Sequence, residues 1–151
     1  MTTRWTRLHA EPGDPPGPIS SDQVRRSVDA KLPESDDLDW KKGLPGAAGL
    51  DEFAKDVAAM ASSAGGLLVY GVEEKRSAGR AEALSLLELT GPDVRGLRST
   101  VFGQIQPAVT GVDFLELASD QEPGSVLVVS VPASEDAPHP RHGPRAVTPP
   151  G

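Results

Sequence analysis

Residues Asp51 to Glu74 read DEFAKDVAAMASSAGGLLVYGVEE, and this stretch decides the fold. Leu50, Phe53, Ala54, Val57, Ala58, Met60 and Ala61 recur at the three-and-four spacing that lines one face of a helix, leaving Asp51, Glu52 and Lys55 toward water. Asp51 and Glu52 fall in the first turn, where negative charge suits the helix dipole, and the alanines raise helix propensity. Gly65 and Gly66 end the helix, because glycine accepts the left-handed backbone that follows one. The apolar run Leu67, Leu68, Val69, Tyr70 and Val72 is too short for a second helix and predicts a strand covered on both faces. Two carboxylates, Glu73 and Glu74, stand at its exit.

Outward from this centre, Met1 to Pro18 reads as a flexible arm, since Glu-Pro-Gly-Asp-Pro-Pro-Gly-Pro sustains neither a helix nor a central strand. Ser20 or Ser21 caps a helix carrying Val24, Val28 and Leu32, closed by Pro33. Leu38, Trp40 and Leu44 alternate with Asp39 and Lys41 as in a strand with one face on the core. Beyond the central strand, Glu73 to Gly79 reads as a charged loop, and the periodicity of Ala81 to Leu89 gives only a weak helix. Gly91-Pro92 breaks the chain before a helix from Asp93 to Ile105, with Val94, Leu97, Val101 and Ile105 on one stripe and Pro107 after it. Val112 to Leu117 and Ser125 to Val131 form a hairpin across the turn Asp120 to Gly124. The expected division is an arm over 1–19, one α+β domain over 20–133 and a Pro-rich irregular tail over 134–151.

At 151 residues and 37% hydrophobic, the chain supplies one modest core. With no cysteine there is no disulfide framework, thiolate zinc site or cysteine nucleophile. No apolar run reaches membrane-spanning length and the start lacks the apolar block of a secretory signal, so a cytoplasmic protein without a membrane partner is expected. A formal net charge of −7 disfavours an unassisted grip on phosphate backbone, yet Arg4, Arg7, Arg25 and Arg26 near one end and Arg141, His142 and Arg145 near the other offer local basic faces.

Three segments in order, ESDDLDWK (34–41), FAKDVAAMASSAGGLLVYGVEE (53–74) and VLVVSVPASEDAPH (126–139), resemble the Schlafen AlbA-like domain of bacterial proteins and animal Schlafens. The middle segment carries most of the likeness, through its small-residue helix end, double glycine and following Gly-Val-acid. The resemblance implies an α+β fold, a mixed or antiparallel sheet packed against helices, with Ala81 to Leu89 as a strand. It departs from the family at Ser62, where an Asn is usual, and in the C-terminal region, where Arg141-His142-Gly143-Pro144-Arg145 only hints at a further Arg-Gly stretch.

The resemblance implies nucleic-acid binding, DNA or RNA, and in some relatives metal-dependent RNA cleavage by three acids, here Glu34, Asp39 and Glu74. Such a cluster would hold Mg²⁺ or Mn²⁺, hard cations that prefer oxygen, and Lys41 would contact phosphate. Against catalysis, acids at strand ends are common solvated punctuation, Asp36, Asp37 and Glu73 lie close by, and Asp39 and Glu74 differ in reach from the usual Glu and Asp. Binding without catalysis is the favoured reading, with Arg25, Arg26, Lys41, Arg141 and Arg145 as contacts. An endoribonuclease using the three acids is the second reading, and a self-associating interaction domain, forming a homo-oligomer, the third. ATP is not expected, since no Gly-Lys-Ser/Thr loop is present and Gly65-Gly66 lies at the carbonyl end of its helix. His139 and His142 sit among prolines without a third ligand, Trp40 falls on an inward strand phase, and Ser62 and Ser63 have no histidine close in sequence.

Overall fold

A computed structural model describes residues 5–10, 13–75, 77–105 and 109–134 of the chain. Its helices are α1 (Arg7–Ala10), α2 (Ser21–Asp29), α3 (Leu50–Ser62, preceded by a 3₁₀ turn at Ala47–Gly49) and α4 (Gly91–Gln104). Its strands are β1 (Leu38–Lys41), β2 (Gly66–Tyr70), β3 (Val72–Lys75), β4 (Arg80–Leu84), β5 (Asp113–Ala118) and β6 (Ser125–Val131). Four strands form a mixed sheet in the order β1-β2-β6-β5, with β1 parallel to β2 and the other pairs antiparallel. β3 and β4 form a separate antiparallel ribbon. This is the expected α+β architecture.

Pleating sorts β2 between two cores. Leu68 and Tyr70 join Phe53, Val57 and Ala61 of α3 and Val94, Leu97 and Val101 of α4 on one face. Leu67 and Val69 join Leu38 and Trp40 of β1, Val24 and Val28 of α2 and Leu8 on the other. The strand is therefore covered on both faces, as its continuous apolar run predicts. Trp40 is 1% exposed and its indole N–H donates to the Leu32 carbonyl at 2.9 Å, so the ring is buried without orphaning its donor.

The helix ends follow their side chains. Ser20 accepts from the Gln23 N–H at 3.2 Å while Gln23 accepts from the Ser20 N–H at 3.3 Å, a reciprocal cap that starts α2. Thr90 and Asp93 make the same box at α4, with Pro92 inside the first turn. Gly91-Pro92 thus opens this helix instead of breaking the chain before it, because the first-turn N–H that proline lacks has no helical partner anyway. At the end of α3, Gly65 takes φ +79° and donates to the Met60 carbonyl at 2.9 Å. An added Cβ there would lie 2.6 Å from the Val131 carbonyl oxygen, so the turn needs glycine for space as well as for dihedral angle.

Three expectations change. Glu73 to Lys75 is strand, not loop: Gly71, at φ +108°, bends the chain out of the main sheet and it resumes as β3. Its partner Arg80–Leu84 is the strand that the family resemblance implies, so that expectation stands. Within the supposed arm, Arg7–Ala10 is a helical turn with Leu8 and His9 fully buried. His9 Nδ1 accepts from the Thr6 N–H at 2.9 Å and Nε2 donates to the Gly17 carbonyl at 3.0 Å, which ties Gly17 back to the helical turn. α2 also ends at Asp29, four residues before Pro33.

Candidate functional site

β1 is an edge strand, and an edge leaves backbone donors without a ladder partner. The chain before it solves this by folding back. Ser35 and Leu38 exchange backbone hydrogen bonds at 3.0 and 3.1 Å, and the Trp40 N–H donates to Glu34 Oε2 at 2.9 Å. Glu34 therefore completes the edge of β1 with its side chain.

The same carboxyl meets the other two acids named from the sequence. Glu34 lies within hydrogen-bonding reach of both Asp39 and Glu74. Its pKa is pushed up to about 8, chiefly by burial, then by the hydrogen bond with Asp39, against the pull of the Trp40 N–H and with a further push from Glu74. At neutral pH Glu34 therefore keeps its proton, which spares it repulsion from the neighbouring acids.

Asp39 and Lys41 alternate with the inward Leu38 and Trp40, so they project toward α3. There Lys41 Nζ lies 3.2 Å from Asp39 Oδ2 and 3.4 Å from Asp56 Oδ2. Burial pulls the ammonium down, but Asp39 and then Asp56 outweigh it and hold Lys41 above its ordinary value. At Asp56 burial is the larger influence and raises the carboxyl against the attraction of the shared lysine. The Tyr70 phenol, 3% exposed, is kept neutral by burial and by the charges of Asp56 and Asp39. A cleft of about 270 Å³ opens here, lined by Glu34, Asp36, Asp39 and Asp56 over Met60 and Leu68.

The implied divalent metal can be tested against these donors. Glu34 is committed to the Trp40 N–H and carries its own proton, and Asp39 is committed to Lys41, whose ammonium already stands between two carboxylates. Among the described residues no group of three His, Asp or Glu side chains is arranged to hold a metal ion. Glu34 meets each of the other two acids, but as arranged the described side chains do not fit a metal centre.

Of the basic contacts expected from the sequence, Arg25 and Arg26 pair with groups that do not line this cleft. Arg25 donates to Ser119 at 3.0 Å and lies 3.6 Å from Glu122, beside the β5–β6 turn. Arg26 is held by Asp22 at 2.8 Å and Asp14 at 3.0 Å. Lys41, of the described members of that set, pairs with two of the acids that line the cleft, Asp39 and Asp56. Arg141, Arg145, His139 and His142 lie outside the described residues. Sequence reasoning also passed over Asp56, which lies at the margin of the apolar stripe of α3, and the bidentate pair of Arg7 with Asp37, both contacts 3.1 Å. That pair fastens α1 to the turn before β1; burial pushes the Asp37 carboxyl up, but Arg7 and the Ser35 hydroxyl together hold it below the usual carboxylate range.

The architecture defines an α+β domain whose edge strand carries the site. The sequence profile of the Schlafen, AlbA_2 family matches residues 34–147, and the chain belongs to that family. The fold is similar to that of the N-terminal domain of an ATP-dependent DNA helicase RecG-related protein from Nitrosomonas europaea, with TM-score 0.57, 18% identity and coverage of 78% of this chain and 76% of that one. The DIP2311 protein from Corynebacterium diphtheriae is more distant, with TM-score 0.43 and 24% identity over 76% of this chain and 23% of that one. No curated protein matches the chain. No described helix is long and apolar enough to cross a membrane.

Proposed function

We propose that this chain is a cytoplasmic nucleic-acid-associating domain that acts by binding, without cleaving. Membership of the Schlafen, AlbA_2 family over residues 34–147 carries the association. The commitments of Glu34 and Asp39 support the absence of catalysis, since the acids that a nuclease would need are engaged in capping β1 and in neutralising Lys41. Lys41, Arg25, Arg26, Arg141 and Arg145 are the proposed phosphate contacts, and the first three must leave acidic partners to serve. Binding of that kind is weak at high salt, because each exchanged ion pair competes with counterions.

One specific observation favours a second reading, metal-dependent RNA cleavage: Glu34 lies within hydrogen-bonding reach of both Asp39 and Glu74. The experiment that separates the two is incubation of the chain with labelled single- and double-stranded RNA and DNA at low salt, with Mn²⁺ or with chelator. The expected result is a mobility shift that fades with salt and no product in either condition. Metal-dependent product that disappears in Glu74→Ala, with binding retained, would replace this reading by the nuclease one. Absence of any shift would leave self-association, for which the outer edge of β5 is available.

A further inference from the structure

Lys41 is held from two directions, and the two holds are not equivalent. Asp39 lies two residues away on the same strand and moves with it, whereas Asp56 reaches across from α3. Asp56 follows Phe53 by three residues and precedes Met60 by four, so it sits beside the buried stripe and faces the sheet. The Lys41, Asp39 and Asp56 side chains are 34%, 29% and 23% exposed, which leaves the ammonium reachable from solvent but surrounded by acid. Asp39 and Asp56 line the adjoining cleft together with Asp36 and Glu34. A phosphate that approaches Lys41 therefore meets a cation already neutralised, and its way in is to take the place of the contact that belongs to another element.

We propose that Asp56 is a positioning residue that withholds Lys41 from phosphate and so sets the affinity of the cleft for a nucleic-acid backbone. The proposal rests on the nucleic-acid reading and adds to it a residue that the three-acid pattern does not contain. Removing the charge at position 56 leaves Lys41 with one carboxylate partner and shifts the local charge by one positive unit. The ammonium then becomes a competent phosphate contact. One additional neutralised phosphate steepens the dependence of log K on log salt by about 0.9 on duplex DNA and about 0.7 on a single strand.

The test uses the full chain as wild type, Asp56→Asn, Asp56→Glu and the double variant Asp56→Asn with Lys41→Gln, with folding checked by circular dichroism. The first readout needs no nucleic acid: the rate at which a small acylating reagent modifies Lys41, followed by peptide mass spectrometry. Asp56→Asn is expected to raise that rate, and Asp56→Glu to restore the hold. An unchanged rate in Asp56→Asn would overturn the proposal. The second readout is the salt dependence of binding to labelled oligonucleotides. Asp56→Asn is expected to bind more tightly with the steeper slope, and the double variant to lose both gains. Binding by wild type and Asp56→Asn with equal slopes would overturn the proposal while leaving the nucleic-acid reading in place. No binding by any of the proteins would overturn that reading, and the role of Asp56 toward phosphate with it.

Discussion

On the α2 face of the sheet, Leu38, Trp40, Leu67, Val69, Val126 and Val128 pack against Val24, Val28 and Leu8 with almost no exposure. On the α3 face the packing is as tight over β2 and β6, but at β1 it gives way to Asp39, Lys41 and Asp56 and a cleft opens. Four consecutive residues, Leu38 to Lys41, contribute to both. The period of two in a strand lets one short segment anchor a core on one side and present charges on the other, so the site is positioned by the packing of its own neighbours. The difference also assigns costs. Disturbing the apolar face removes stability, and disturbing the charged face alters protonation and contacts with little loss of packing.

The largest expected effect comes from breaking the apolar side. Trp40→Ala removes a fully buried ring and leaves the Leu32 carbonyl without its indole donor, a loss of about 3–5 kcal/mol by analogy with other aromatic-to-alanine core changes. Its neighbour on the same strand, Asp39→Asn, is expected to change stability by less than about 1 kcal/mol, as for part-exposed ion pairs. Urea unfolding of the two variants checks the contrast, and equal losses would refute the division of β1 between core and site.

The second effect strikes the joint between α3 and the sheet. Gly65→Ala puts a side chain at φ +79° and a Cβ 2.6 Å from the Val131 oxygen and 2.7 Å from the Ala133 nitrogen. Strain of this kind costs on the order of 1–3 kcal/mol before the clash is counted. A thermal midpoint close to wild type would show that the turn can relax around the added carbon.

The contrast between the faces also explains what could be read from the sequence. The apolar periods of α2, α3, β2 and the β5–β6 hairpin specify elements directly, because each buries a continuous face. The β3–β4 ribbon escapes such reading: of β4 only Ala81 is buried, and the strand exists because Gly71 redirects its partner alongside it. Leu8 and His9 were hidden by the prolines and glycines that follow them in sequence, because a contact such as that of His9 with the Gly17 carbonyl leaves no local period. At the site, Glu34, Asp39 and Glu74 were nameable through the family resemblance, and their meeting depends on a fold-back at a sheet edge. Asp56 offered no motif, since its partner is fifteen residues away (56 − 41) on another element.

The smallest expected effect is also the one that tests the charged face most directly. Glu34 titrates at about 8 in the folded chain against an ordinary 4.5. Between those values the folded state keeps a proton that the unfolded state has released. Its contribution to stability is therefore full at low pH, declines as pH rises through that window and levels off above about 8. Glutamine copies the protonated form: its carbonyl oxygen accepts from the Trp40 N–H and its amide donates toward Asp39 and Glu74. Glu34→Gln should accordingly match wild type near pH 5 and exceed it at pH 9, with the urea midpoints diverging across the interval. Parallel midpoints would mean that Glu34 is ionised in the folded chain at neutral pH. In that case the three carboxylates would be free to take up a cation, and the argument against a metal centre would lose its strongest support.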